Sequence, residues 1–143
     1  MFVSDILKTK GHAVVTVAPD TSVADAVATL AEKRIGCIVV TTDGGALAGI
    51  LSERDVVRVL AEQGGDVLDE PVSALMTAKV VTCSPAESVA EVMGMMTSGR
   101  FRHVPVIEDG RLAGMVSIGD VVKLRLEETE EEVRQLSAYV AGG

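Results

Sequence analysis

The 143-residue chain carries 21 acidic against 13 basic residues, a net charge of −8, and is 48% hydrophobic with only 2% aromatic residues. This size suits one ordinary domain or two small repeats with an aliphatic core, and the acidic balance excludes a nucleic-acid backbone as partner, which needs a basic face. No apolar run reaches the roughly 18–20 residues of a membrane helix, and Asp5 and Lys8 interrupt any signal-like start, so a cytoplasmic protein without a membrane partner is expected.

A short prelude, Val3-Ser4-Asp5-Ile6-Leu7, opens the chain. Lys8-Thr9-Lys10-Gly11-His12 follows as a basic loop, either solvated or closing over a cleft. Ala13 to Val17 is a β-rich run. Pro19-Asp20-Thr21-Ser22 stops it and offers N-cap oxygens. Val23, Ala26, Val27 and Leu30 then recur at i, i+3, i+4 and i+7, one apolar face of a helix. Ile35 to Thr41 is nearly continuous apolar sequence, as in a strand covered on both faces. Asp43-Gly44-Gly45 predicts a hairpin into a returning strand, Leu47 to Leu51. Asp55 to Glu62 reads as a closing helix ended near Gly64-Gly65, and Gln63 to Pro71 as an exposed crossover.

The same order then returns. Val72-Ser73-Ala74-Leu75-Met76 resembles the prelude, and Val81-Thr82-Cys83-Ser84-Pro85 repeats Val15-Thr16-Val17-Ala18-Pro19. Val80 to Cys83 is a predicted strand. Val89, Val92, Met93 and Met96 mark a helix face, and Arg102 to Ile107 is a strand with Asp109-Gly110 as its turn. Leu112 to Val116 returns, and the helix beginning at Ile118 runs on into an acidic tail. Residues 1–66 thus form one repeat with its prelude, 67–126 a second with its linker, and 127–143 a helical tail. That tail lies either on its own core or against a second subunit.

The most specific doubling is Leu47-Ala48-Gly49-Ile50-Leu51-Ser52-Glu53-Arg54-Asp55 against Leu112-Ala113-Gly114-Met115-Val116-Ser117-Ile118-Gly119-Asp120. Two such units packed together have pseudo-two-fold symmetry and two related clefts, each rimmed by a Gly-x-x-Ser-x-x-Asp turn. Ser-x-x-Asp alone is close to a capping box. The same geometry also presents free N–H groups to an anion and a carboxylate to ribose hydroxyls. Arg100-Phe101-Arg102-His103 reads either as a charged sheet edge or as a phosphate contact, and Pro105 places that strand at an edge. His12, His103, Cys37 and Cys83 lack paired metal-ligand spacing, so no metal is expected. The two cysteines are expected to be buried thiols, and Met93, Met95, Met96 and Met115 core filler. No nucleophile stands beside a base in any local motif, so neither catalysis nor a catalytic cofactor is expected.

These doubled motifs, with Arg102-His103-Val104-Pro105-Val106 between them, resemble the tandem cystathionine-β-synthase (CBS) domain pair from about Val3 to Lys123. The resemblance implies an α+β fold of two pseudosymmetric β-α-β-β-α repeats packed through their sheets. It also implies a non-catalytic regulatory module that binds AMP, ADP, ATP, an NAD-type ligand or S-adenosylmethionine between the repeats. Occupancy would be passed to an unidentified separate protein. The alternative is an interaction homodimer with empty clefts.

Carried over by residue, the resemblance puts the ribose aspartate at Asp120 in a main cleft, with Ser117 on the phosphate side and Gly119 leaving room. That cleft is completed by Lys10, His12 and Ala13, by Ile35, Gly36 and Cys37, and by Arg102, His103 and Met115. In a second cleft Asp55 and Ser52 take the same roles. Lys79, Val80, Phe101, Arg102, His103 and Pro105 complete it, and Arg54 stands where the other repeat has glycine. A homodimer is expected through apolar closing helices: Val56, Val57, Val59 and Leu60, then Val121, Val122, Leu124 and Leu126.

Overall fold

The computed structural model describes residues 1–142. Helix α1 (Val3–Lys10) leads into strand β1 (Thr16–Val17), helix α2 (Val23–Lys33), strands β2 (Cys37–Thr41) and β3 (Leu47–Ser52), and helix α3 (Glu53–Gln63). The second half has α4 (Val89–Gly99), β4 (His103–Glu108), β5 (Arg111–Ser117) and the long α5 (Ile118–Gly142). One sheet has the order β1-β2-β3, and the other is the β4-β5 hairpin.

Local chemistry sets the boundaries. Ser22 and Ser88 cap α2 and α4, each accepting from the backbone N–H three residues on, Asp25 and Glu91, at 3.1 Å. Both helices stop at an arginine in the left-handed region, Arg34 (φ 54) and Arg100 (φ 57). Asp109 and Gly110 take φ 52 and 77, the turn a two-residue hairpin between Glu108 and Arg111 demands.

Strand β2 is buried on both faces because it has two neighbours. Ile38 and Val40 join the α2–α3 side with Val23, Ala26, Leu30 and Val56. Cys37 and Val39 meet Met115 of β5, which packs the repeats sheet against sheet. The expected α+β pair of repeats is the observed architecture.

The second repeat lacks a full counterpart of β1. Val80 to Cys83 forms only a bridge from Cys83 to Val106, with Cys83 N–H donating to Pro105 O at 3.0 Å and Ile107 N–H to Cys83 O at 2.8 Å. The cause is Pro105. Its counterpart Val39 donates to Val15 O at 3.2 Å; proline has no N–H to give the equivalent Val81. Pro105 therefore lies between β5 and a weakened neighbour, and it is buried rather than at an open edge.

The preludes are exchanged. Val3, Ile6 and Leu7 of α1 are buried in the second repeat's core with Val92, Val104 and Val116. Val72, Leu75 and Met76 pack in the first repeat's core. Burial of each such side chain contributes about 1.5–3 kcal/mol. The motif glycines make this approach feasible. A Cβ on Gly49 would lie 2.6 Å from Met76 Sδ, and one on Gly114 2.5 Å from Leu7 Cδ2. Both glycines sit within β3 and β5, not in a turn at a cleft rim as expected. The linker Gln63 to Pro71 is exposed as expected apart from Leu68, which is half-buried, and Val67, which is buried in a short 3₁₀ turn over Gly65–Asp69.

Candidate functional site

Each closing helix begins where a strand ends, and its first N–H is bonded within its own repeat: Glu53 N to Gly36 O at 2.9 Å, Ile118 N to Arg102 O at 2.8 Å. The two Ser-x-x-Asp turns share the same pair of reciprocal backbone–side-chain bonds. Asp55 Oδ2 accepts from Ser52 N–H (3.2 Å) and Ser52 Oγ (2.9 Å), and Asp55 N–H donates to Ser52 Oγ at 3.2 Å. Asp120 Oδ2 accepts from Ser117 N–H (2.8 Å), and Asp120 N–H donates to Ser117 Oγ (3.1 Å). Both turns thus make the reciprocal capping bonds expected of Ser-x-x-Asp.

The two turns differ in what faces them. Lys10 Nζ lies 2.7 Å from Asp120 Oδ2 and donates to Met115 O at 2.9 Å. Burial alone would raise the Asp120 pKa, but the Lys10 and Ser117 hydrogen bonds outweigh it and hold the carboxyl below its ordinary value. His12 Nδ1 lies 2.9 Å from Ala113 O and ties the same segment to β5. Ala13 and Gly119 are exposed, with only Ser117 Oγ within 4 Å of a Cβ on Gly119. Ile35 packs on the first repeat's core. Met115 is buried in the inter-repeat seam.

Among the described residues, Asp55 has only Arg58 as a cation within salt-bridge distance, 3.4 Å from its second oxygen and largely exposed. Beside it opens a cavity of about 340 Å³, within the range of small-molecule sites. Ser52, Glu53, Arg54 and Asp55 form one wall. Lys79, Val80, Phe101, Arg102 and His103 also line it, as do Gly36, Cys37 and Ile50. Gly36, Cys37, Arg102 and His103 thus line the Asp55 side, although sequence reasoning shared or assigned them to the Asp120 cleft. Pro105 is not among the cavity walls. A groove of about 290 Å³ adjoins and shares Arg54, Arg100, Phe101 and Arg102.

The cavity is electrostatically uneven. Among the described residues, Arg54, Lys79, Arg100 and Arg102 have no carboxylate within salt-bridge distance. Glu53 and Asp55 are the opposing carboxylates in the lining. His103 is held below its usual pKa by burial first and by Lys10 next. Cys37 is pushed up to about 12 by burial and then by Asp55, so its thiol is an inert wall. Among the described residues, no three His, Cys, Asp or Glu side chains converge on a metal position.

Sequence reasoning missed Glu53, Ile50, Thr77 and Val81 as lining residues. Glu53 had a signal: its counterpart is Ile118, so the repeats differ in charge at that position. The differing fates of the two prelude lysines trace to chain length. Three residues, Gly11 to Ala13, separate Lys10 from Val14, whereas Lys79 adjoins Val80 directly. Lys10 therefore reaches Asp120, while Lys79 stays on the cavity wall.

Comparison with known proteins agrees with this duplication. The CBS domain family model matches residues 3–62 and 72–127. A CBS-domain containing protein from Agrobacterium tumefaciens is 51% identical, with a TM-score of 0.84 over 87% of this chain and 99% of that one. The CBS domain pair of the protein MJ0100, solved with 5′-methylthioadenosine and S-adenosyl-L-methionine, is 26% identical, with a TM-score of 0.79 over 90% of this chain and 98% of that one. A CBS domain protein from Pyrobaculum aerophilum, complexed with AMP, is 25% identical, with a TM-score of 0.75 over 84% and 89%. Two family matches in one chain, on two repeats with exchanged preludes, mean that this protein belongs to the CBS domain family as a tandem pair.

Proposed function

We propose that this chain is a non-catalytic sensor that binds an adenine ribonucleotide in the Asp55 cavity and passes occupancy to a separate protein. The observation that carries this reading is a cavity lined by four cations, unpaired among the described residues, together with a Ser-anchored aspartate. Asp55 accepts the ribose hydroxyls. Arg54, Arg100, Arg102 and Lys79 take the phosphates. Phe101, Val80 and Ile50 offer apolar surface to the base. The Asp120 cleft, expected from sequence as the main one, is here the lesser site, because Lys10 already occupies its carboxylate.

The neighbour solved with 5′-methylthioadenosine and S-adenosyl-L-methionine favours a second reading, an adenosyl ligand without phosphate. The unpaired cations favour AMP, ADP, ATP or an NAD-type anion over a sulfonium. A homodimer is part of the proposal. Val57 and Val122, equivalent positions of α3 and α5, stay 67% and 50% exposed, while Val56, Val59 and Val121 turn into their own repeats.

Calorimetry with AMP, ATP, NAD and S-adenosylmethionine tests the ligand. Anionic nucleotides should bind most tightly. Asp55→Asn should weaken them by about 1.5–3 kcal/mol, more than tenfold in affinity. Unchanged affinity in Asp55→Asn would remove this cavity from the proposal.

A further inference from the structure

Helix α5 leaves the body of the protein after its third turn. Val121 is buried, Leu124 packs on the second repeat's core and Glu128 is half-buried; every described residue from Thr129 onward is exposed. A projecting segment as short as Thr129–Gly142 would be marginal as an isolated helix in water. This one nevertheless carries an ordered apolar seam. Val122, Leu126, Val133, Leu136 and Val140 are all at least half exposed, between 50% and 75%. With Thr129 they occupy alternating d and a positions of a heptad: Val122 (d), Leu126 (a), Thr129 (d), Val133 (a), Leu136 (d) and Val140 (a).

The acidic block respects the same register. Glu127, Glu128, Glu130, Glu131 and Glu132 fall at b, c, e, f and g, and none falls on the seam. The charge run that looks repulsive for self-association therefore flanks it instead. Arg125 sits at g and Glu130 at the e position of the next heptad. Those are the positions that meet between two parallel, in-register strands, so each helix would offer Arg125 to Glu130 of its copy. Among the described residues, the only carboxylate within salt-bridge distance of Arg125 is Glu128, at 3.7 Å. The seam is also continuous with Val122, the exposed valine of the proposed dimer face.

We infer that α5 from Val122 to Val140 forms a parallel, in-register two-stranded coiled coil with a second copy of this chain. It rests on the homodimer reading but makes a narrower claim: the tails run side by side in the same direction. Cys37 and Cys83 are buried, so Val140→Cys supplies the one exposed thiol. Under mild oxidation the full-length variant should form a disulfide-linked dimer at micromolar concentration. Adding Leu136→Glu, at a position 65% exposed, should abolish the link without unfolding the body. Arg125→Glu or Glu130→Arg alone should weaken dimerisation about two- to fivefold, and the two together should restore it. A dimer by sedimentation with no Val140→Cys link, or with no rescue by the charge swap, overturns the coiled coil while leaving the body interface standing. A monomer at that concentration overturns both.

Discussion

Replacing Lys10 by methionine keeps the side chain's stem and removes its charge, which isolates the contact that distinguishes the two clefts. The substitution deletes two hydrogen bonds, 2.7 Å to Asp120 Oδ2 and 2.9 Å to Met115 O. Hydrogen bonds to charged groups contribute about 1.5–3 kcal/mol when buried, and exposed ion pairs about 0–1 kcal/mol. The Lys10 side chain is 34% exposed and that of Asp120 23%, so solvent screening places the pair near the lower range, at about 1 kcal/mol. Asp120 keeps its bond from Ser117 N–H, so no carboxylate is left bare. Urea denaturation should show the midpoint lowered with the slope unchanged, and thermal melting a loss of about 2–4 °C for a chain near this size. The loss should shrink in molar salt. Asp120→Asn should cost a similar amount, and the double variant little more than either single change. In the wild type, a ribose reaching Asp120 must displace Lys10 at that same cost. Lys10→Met should therefore raise adenosine affinity at this cleft by about fivefold. A variant as stable as wild type at low salt, with additive behaviour alongside Asp120→Asn, would show that the ion pair is not holding this cleft.

The exchanged preludes predict that Gly114→Ala, which drives a Cβ into Leu7, destabilises by about 1–3 kcal/mol in a denaturant titration. Gly94→Ala, on α4 with nothing within 4 Å, should instead stabilise by about 0.5–1 kcal/mol. Acidification should erode stability through two groups. Asp120 has its pKa lowered, so its contribution is complete above the ordinary carboxylate value and is lost as pH falls through the lower folded value. His103 also has its pKa lowered, from 6.5. The unfolded chain protonates it first, and stability declines as pH drops below that value. Urea midpoints measured from neutral to acid pH should fall monotonically, and His103→Gln should flatten the upper part of the fall.

The duplication, the helix faces, the serine caps and both hairpins were legible because each is written in local spacing. What the preludes pack against was not legible. Val3, Ile6 and Leu7 announce an apolar face but carry no address, and the exchange is decided by tertiary fit. A clue did exist: glycine inside a strand signals a close approach by another segment, and Gly49 and Gly114 are such positions. By sequence alone Pro105 reads as an edge marker. Its effect is a missing donor toward Val81, which shrinks a neighbouring strand to one bridge. Many of the residues named from sequence line the Asp55 cavity or surround Asp120, yet the contrast between the two clefts turns on three extra residues after Lys10. That length difference moves one ammonium group onto Asp120 and leaves Lys79 free.

A crystal structure of the chain grown with AMP tests whether the cation-lined Asp55 cavity is the nucleotide site. The ribose hydroxyls should lie within hydrogen-bond distance of Asp55 and the phosphate among Arg54, Arg102 and Lys79, with Lys10 still on Asp120. A nucleotide bound instead at Asp120, with Lys10 swung away and the Asp55 cavity empty, would contradict that assignment.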